Sequence, residues 1–161
     1  MDMNEYLFRQ LEFVRNITLK AVEGITEDVA DTIHPGFRNN IRWNLGHIYL
    51  VQERFAFQFL GMPLNLPANY SDLFAMGTSP LNWTDEPPAL SDIINMLSEQ
   101  QGRIRASLEF RLNERVEKPY TTSSGLTMET VKEFLTFAMY HEGMHFSCIK
   151  MYKALSAYSE R

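Results

Sequence analysis

Two histidines and a glutamate occur in this sequence at a spacing found in metal-binding proteins. Residues 141 to 145 read HEGMH, the H-E-x-x-H pattern that zinc peptidases carry on a helix. Histidines four residues apart lie about 40° apart around a helix, so His141 and His145 can both point at one ion. A catalytic zinc site has three protein ligands, commonly imidazoles at about 2.0–2.1 Å, and an open position for water. The motif therefore predicts a part of a metal site.

The residues downstream of this motif argue against a peptidase. Metzincins place their third ligand, a histidine, six residues after the second one, and that position is Met151 here. The same enzymes have a glycine where this chain has Cys148. The sequence also offers no edge strand to hold an extended peptide by main-chain hydrogen bonds. We therefore look for the third ligand upstream.

Two upstream histidines are candidates for the third ligand. His47 lies in the apolar stretch RWNLGHIYL, where an imidazole without a partner would be costly to bury. Gly46 beside it has no side chain and would let helices approach closely. His34 precedes Pro35, so we expect it in an extended segment or a turn, from which it reaches the site only if its loop folds back. His47 is the better candidate, although a single buried histidine is more often a hydrogen-bonded core residue.

Glu142 and Cys148 each have a structural and a functional interpretation. Glu142 lies about 100° around the helix from His141, so it can act as a base on a bound water, orient a ligand, or be a solvated surface charge. We favour the surface charge. Cys148 follows His145 by three residues, and we expect it to be a small core residue rather than a functional thiol.

Apolar residues recur with helical spacing along nearly the whole chain, and no segment shows the alternation of a strand. The pattern predicts four long helices. Their expected bounds are about Asp2–Glu23, Asn40–Leu60, Ser91–Asn113 and Thr127–Ala157.

Polar residues and glycines mark the expected ends of these helices. Asp2 with Glu5 resembles a capping box for the first helix. Thr127 is expected to cap the fourth helix, with Glu129 in its first turn. Gly24 is expected just past the end of the first helix, and Gly61 with Pro63 stops the second.

A long segment, Met62–Leu90, connects the second and third helices. Connections of this length usually cover something, so we expect a lid over one end of the fold, with a short helical turn at Tyr70–Phe74. Four long helices with one long crossover predict an all-α, four-helix bundle. We expect one domain over residues 1–161.

Composition and charge narrow the class of function. The chain has 161 residues, 45% of them hydrophobic, a net charge of −5 and no basic run, so nucleic acid is not an expected partner. No apolar run is long enough to span a bilayer, and the start MDMNEYLFRQ is not a secretory signal. The single cysteine fits a reducing compartment. We expect a cytoplasmic protein that is not bound to a membrane.

Two of these stretches resemble motifs of the DinB superfamily. NNIRWNLGHIYLVQERF looks like its second-helix signature, and HEGMHFSCI resembles its fourth-helix motif, commonly H-E-x-x-H-x-G-Q-I. The long crossover with DLFAMGTSP and the number of helices also match. The chain departs from the common pattern at Ser147 and Cys148, where glycine and glutamine are usual, which affects the expected substrate more than the expected metal.

The resemblance implies an up-down-down-up, DinB/YfiT-like four-helix bundle, often a homodimer. It also implies a divalent metal ion, with zinc or nickel expected, held by His47 from the second helix and His141 and His145 from the fourth. Relatives include mycothiol-dependent maleylpyruvate isomerase and bacillithiol S-transferases, in which the metal is thought to activate a low-molecular-weight thiol.

We therefore predict a metal-dependent thiol S-transferase or hydrolase that acts on a small molecule. The alternative is a non-catalytic, stress-related dimeric bundle in which the histidines bind a structural metal or merely form hydrogen bonds. A site with an open coordination position facing a pocket would favour the enzyme, and a closed site with four ligands would favour the structural role.

Overall fold

Helices dominate residues 3 to 159, the part of the chain that the computed structural model describes. The helices are α1 (Met3–Ala21), α2 (Glu27–Asp31), α3 (Ile41–Phe57), α4 (Tyr70–Phe74), α5 (Leu90–Leu108) and α6 (Val131–Ser159). Strands β1 (Arg115–Thr121) and β2 (Thr127–Thr130) lie between α5 and α6, and single 3₁₀ turns occur at Gln58–Leu60 and Pro80–Asn82. The prediction of a mostly helical protein is confirmed. The predicted capping residue Asp2 lies outside the described residues.

Four long helices, α1, α3, α5 and α6, form the body of the fold. α3 packs against α5 and α6, and α1 packs against the same two helices. Every residue from Ile41 to Leu50 is buried, which explains why the α3 sequence is apolar on nearly all sides. None of the helices within residues 3–159 combines the length and apolar character that crossing a bilayer requires.

Three helix ends can be compared with their predicted signals. Gly24 and Gly61 both have positive φ, at 72° and 64°, a conformation that glycine adopts without steric cost. The third predicted helix ends earlier than expected, at Leu108 instead of Asn113. The reason is that the carbonyl of Leu112 accepts a hydrogen bond from the backbone at the start of α6, so the chain has already turned away from α5.

An antiparallel hairpin of β1 and β2 corrects the prediction that the chain has no strands. Within β1 only Val116 is buried, so the strand lacks the alternation of apolar and polar residues that marks a half-buried strand. Pro119 lies within β1, in the stretch where the register shifts, and a proline normally argues against a strand. The hairpin thus depends on backbone pairing that the side-chain pattern does not show.

The start of α6 also differs from the prediction. Thr127 and Glu129 belong to β2, and the helix begins at Val131. The acidic residue of the first turn is Glu133, whose carboxylate accepts hydrogen bonds from the backbone N–H groups of Glu129 and Thr130. A glutamate therefore satisfies free donors at this end of the helix, in the way expected of a threonine cap.

The segment between α3 and α5 folds back onto α3. Its helical turn at Tyr70–Phe74 is confirmed. Phe74 is fully buried, and the indole N–H of Trp43 donates to the hydroxyl of Thr78 at 2.8 Å. These contacts bring the lid against the part of α3 that carries His47.

Candidate metal centre

Three histidines from two helices converge inside the bundle. His47 comes from α3, and His141 and His145 come from α6. One ring nitrogen of each lies within 4.8 Å of the others, and the Nε2 atoms of His47 and His141 are 3.2 Å apart. Within residues 3–159, no other cluster of three or more His, Cys, Asp or Glu side chains is so arranged.

Local packing on α3 holds the His47 ring in place. Its imidazole stacks on the indole of Trp43, one turn earlier, with ring centroids 4.6 Å apart and planes inclined by 11°. Gly46 lies against the ring of Phe74, and a Cβ at this glycine would come within 2.3 Å of that ring. The expected close approach at Gly46 is therefore present, although its partner is the lid helix α4 and not a long helix.

Hydrogen bonds fix which ring nitrogen carries the proton in two of the histidines. The carbonyl oxygen of Phe74 lies 2.6 Å from His47 Nδ1, and it can only accept, so this nitrogen donates. The side-chain oxygen of Asn44 lies 2.7 Å from His145 Nδ1, and Asn44 is itself oriented because its amide group donates to the Asn40 carbonyl. Both Nε2 atoms consequently keep a lone pair, and such second partners are typical of histidines that bind metals.

The electrostatic environment keeps all three imidazoles neutral near neutral pH. Burial, followed by the charges of the two neighbouring histidines, lowers the pKa of His141 to about 3. Burial and the charge of His47 lower the pKa of His145 to about 4. The pKa of His47 is lowered too, mainly by its burial. Neutral imidazole is the form that binds a metal ion, so protons compete little for these nitrogens.

The spacing of the His47 and His141 nitrogens fits a shared ion. Two imidazole nitrogens that bind one ion at about 2.0–2.1 Å lie roughly 2.9–3.4 Å apart, depending on the coordination geometry. The distance of 3.2 Å between the Nε2 atoms of His47 and His141 falls in this range. In the metal-free protein the same distance suits a direct hydrogen bond between the two rings.

His34, the other candidate for the third ligand, does not join the group. Its Nε2 atom lies 3.1 Å from both the carbonyl oxygen of Tyr152 and the hydroxyl oxygen of Ser156. These partners are two to three turns beyond His145 on α6, and His34 is buried against them. It is a hydrogen-bonded core histidine.

The favoured interpretation of Glu142 as a solvated surface charge is wrong. The residue is only 2% exposed, and both of its carboxylate oxygens accept hydrogen bonds from Arg15, at 2.8 and 3.0 Å. The 100° offset from His141 turns Glu142 away from the histidines and into the interior next to α1. A carboxylate held in this way is poorly placed to act as a base on a water bound by the histidines.

Arg15 connects all four long helices, and the sequence interpretation missed it. Besides Glu142 on α6, its guanidinium donates to Gln52 on α3 and to Leu97 and Gln100 on α5. The signal was present in the apolar stripe of α1, because Arg15 follows Leu11 by four residues and is as buried as its neighbours on that face. A charged residue inside such a stripe indicates a buried partner.

Cys148 is half-buried and packs against the core cluster that contains Ile149 and Tyr152. It is not part of the histidine cluster. This position agrees with its expected role as a small core residue.

A cavity of about 520 Å³ opens beside the histidines. His47 and His141 form part of its wall, and the hairpin that the sequence did not predict supplies another part through Tyr120. A larger cavity of about 650 Å³ lies between β2 and α6 and contains none of the histidines. Of these two cavities, only the one beside the histidines would let a small molecule reach His47 and His141.

Comparison with known proteins supports the family resemblance seen in the two histidine-containing motifs. A search of curated proteins finds no match to this chain. A family model described as the DinB superfamily matches residues 10–149. The matched region contains all three histidines, the whole of α3 and α5, and the parts of α1 and α6 outside residues 3–9 and 150–159. The chain belongs to the DinB superfamily.

Proposed function

We propose that this protein is a metal-dependent enzyme in which His47, His141 and His145 hold one divalent cation, zinc or nickel. The observation that carries the proposal is the convergence of their ring nitrogens, all within 4.8 Å of one another, beside a cavity of about 520 Å³ that His47 and His141 line. In the arrangement we propose, the four long helices run up-down-down-up, as the family resemblance implies.

Neighbouring residues orient two of the three proposed ligands by hydrogen bonds. Phe74 and Asn44 accept the Nδ1 protons of His47 and His145, which leaves the Nε2 lone pairs free to bind the cation. When bound, a divalent cation lowers the pKa of a water or thiol ligand and supplies a nucleophile near neutral pH. The apolar walls of the cavity limit the access of water and so strengthen electrostatic interactions there.

The reaction that we propose is transfer of a low-molecular-weight thiol, of the bacillithiol type, to a small electrophile, with hydrolysis of a small molecule as the alternative. Three neutral ligands leave coordination positions for a thiolate or a hydroxide. Within the described part of the chain, no fourth His, Cys, Asp or Glu completes the cluster, which favours this role over a structural metal. We further propose that the protein works as a cytoplasmic homodimer.

Metal content of the untagged protein tests the ligand assignment. His47→Ala, His141→Ala and His145→Ala should each lose the divalent ion that the wild type retains after dialysis, since each removes one of three ligands. His34→Ala is the matched control, because it removes a buried histidine outside the cluster. Full occupancy in the three ligand variants, or equal loss in the control, would contradict the assignment.

A screen of thiols with electrophilic substrates tests the activity. We expect turnover that a chelator abolishes and that added zinc or nickel restores. Turnover that persists in the fully chelated protein would refute the role of the metal, and a metal-loaded protein that is inert throughout would favour the non-catalytic bundle.

A further inference from the structure

The cavity beside the histidines carries one fixed charge, and that charge is positive. Arg54 is the lining residue with a permanent charge, and it lies on α3 seven residues after His47. Seven residues are close to two helical turns, so the two side chains leave α3 on the same face, roughly 10 Å apart along its axis. Much of the remaining wall is apolar, and its aromatic part consists of Phe55, Phe59, Tyr120, Phe137 and Tyr140.

The guanidinium of Arg54 has no carboxylate partner within residues 3–159. Six other arginines pair with aspartate or glutamate at 4.0 Å or less, namely Arg15, Arg42, Arg103, Arg105, Arg111 and Arg115. Arg54 instead donates from Nε to the side-chain oxygen of Gln58 at 2.8 Å. This bond leaves the edge formed by the two terminal amino groups for a ligand, and that edge matches a carboxylate in a two-point hydrogen bond.

The histidine cluster offers no negative charge to offset a bound cation. The groups that accept protons from His47 and His145 are a carbonyl and an amide, which are both neutral. The nearest carboxylate in the sequence, Glu142, is already paired with Arg15. The proposed function requires a divalent metal ion at this site. Because its three ligands are neutral, the metal-loaded site would keep the full double positive charge of the ion. A positive site with low-dielectric walls favours an anion.

From this arrangement we propose that the substrate is a small molecule with an aromatic or apolar body and an anionic group, most simply a carboxylate, that Arg54 binds. The anion reaches the terminal amino groups of Arg54, the body lies along the aromatic wall, and the reacting atom faces His47 and His141. This inference rests on the proposed function, because it assigns the substrate class of the same site. It makes Arg54 a residue that determines specificity and not a ligand of the metal.

Binding of two matched probes tests the inference. 3-Phenylpropanoate carries the carboxylate, and 3-phenylpropanamide has the same shape without the charge. By titration calorimetry at neutral pH with the metal-loaded protein, we expect the acid to bind roughly 3-fold to 10-fold more tightly than the amide, because Arg54 is exposed and solvent screens part of its charge. Arg54→Gln should remove most of this preference, leaving the part that the charge of the metal provides, and Arg54→Lys should keep more of it.

Arg38→Gln is the control variant, because Arg38 is exposed, does not line the cavity, and its loss changes the net charge by the same amount. It should keep the full preference for the acid. Equal binding of acid and amide by the wild type, no binding of either at millimolar concentration, or a preference that is undiminished in Arg54→Gln would each overturn the inference. Metal content measured on the same samples separates these results from failure of the proposed function, since Arg54→Gln should stay fully loaded.

Discussion

Replacing Glu142 with glutamine should lower the free energy of unfolding by about 3–5 kcal/mol, because it leaves the Arg15 cation buried without a counter-charge. Arg15 is 1% exposed and Glu142 is 2% exposed, so neither charge has access to solvent that would screen it. The nitrogens of Arg15 all have acceptors, and two of these acceptors are the carboxylate oxygens that the substitution alters. A loss of this size is a large part of the about 5–15 kcal/mol that stabilises a typical domain.

The assay is urea unfolding of metal-free protein, followed by the helical circular dichroism signal. Metal must be removed because a ligand that binds only the folded state would mask the loss. For a chain of this length the expected loss corresponds to a fall of about 6–20 °C in the melting temperature. Arg15→Met combined with Glu142→Leu should be less destabilising than Glu142→Gln, because no unpaired charge remains in the core.

Glu114→Gln is the control for this experiment. Glu114 also binds an arginine through two hydrogen bonds, to Arg111, but this pair lies at the surface. Solvent screens such pairs, so the control should leave the melting temperature nearly unchanged. If Glu142→Gln were as mild as this control, the argument that a buried ion pair joins the four helices would be refuted. If Glu142→Gln left the free energy of unfolding unchanged but the variant no longer retained the metal ion, Glu142 would instead have a role in metal binding.

Three further predictions concern the histidine cluster. Gly46→Ala should destabilise the protein by about 1–3 kcal/mol and weaken zinc binding, because its methyl group would lie 2.3 Å from a buried aromatic ring. Gly102→Ala is the control for this variant, because open space surrounds Gly102. It should instead stabilise α5 by about 0.5–1 kcal/mol in the same urea titration. Asn44→Ala should reduce zinc affinity about 10-fold to 100-fold in a competition titration, since His145 loses the acceptor that orients it. Unfolded histidines titrate near pH 6.5, whereas the folded pKa is about 3 for His141 and about 4 for His145, so the unfolded state binds more protons below pH 6.5. The free energy of unfolding of the metal-free protein should therefore fall as the pH is lowered from 6.5 to 4, by about 1.4 kcal/mol per pH unit for each histidine. A free energy of unfolding that stays constant over this interval would contradict the burial of neutral imidazole rings.

Local geometry made several features of this protein predictable. His141 and His145 share a face because four residues make about one helical turn, whatever the rest of the chain does. Gly24 and Gly61 mark helix ends because the left-handed conformation favours glycine. His47 was expected to be buried because its neighbours on α3 are apolar, and it is 6% exposed. Each of these predictions depends on residues close together in the sequence.

The remaining features depend on which faces of distant elements meet, and the spacing of residues within one element does not contain that information. Helical periodicity predicted that α1 and α6 have buried faces, but only their packing brings Arg15 within 2.8 Å of Glu142, 127 residues later. The same holds for His34, whose partners are on α6, and for the β1 and β2 hairpin, which forms by backbone pairing. The sequence by itself placed two candidate ligands on one helix face and suggested a third. The tertiary structure decided that a cluster of neutral, largely buried imidazoles opens into a cavity and that the glutamate of HEGMH faces away from it, because burial, charge pairing and access are properties of the packed chain.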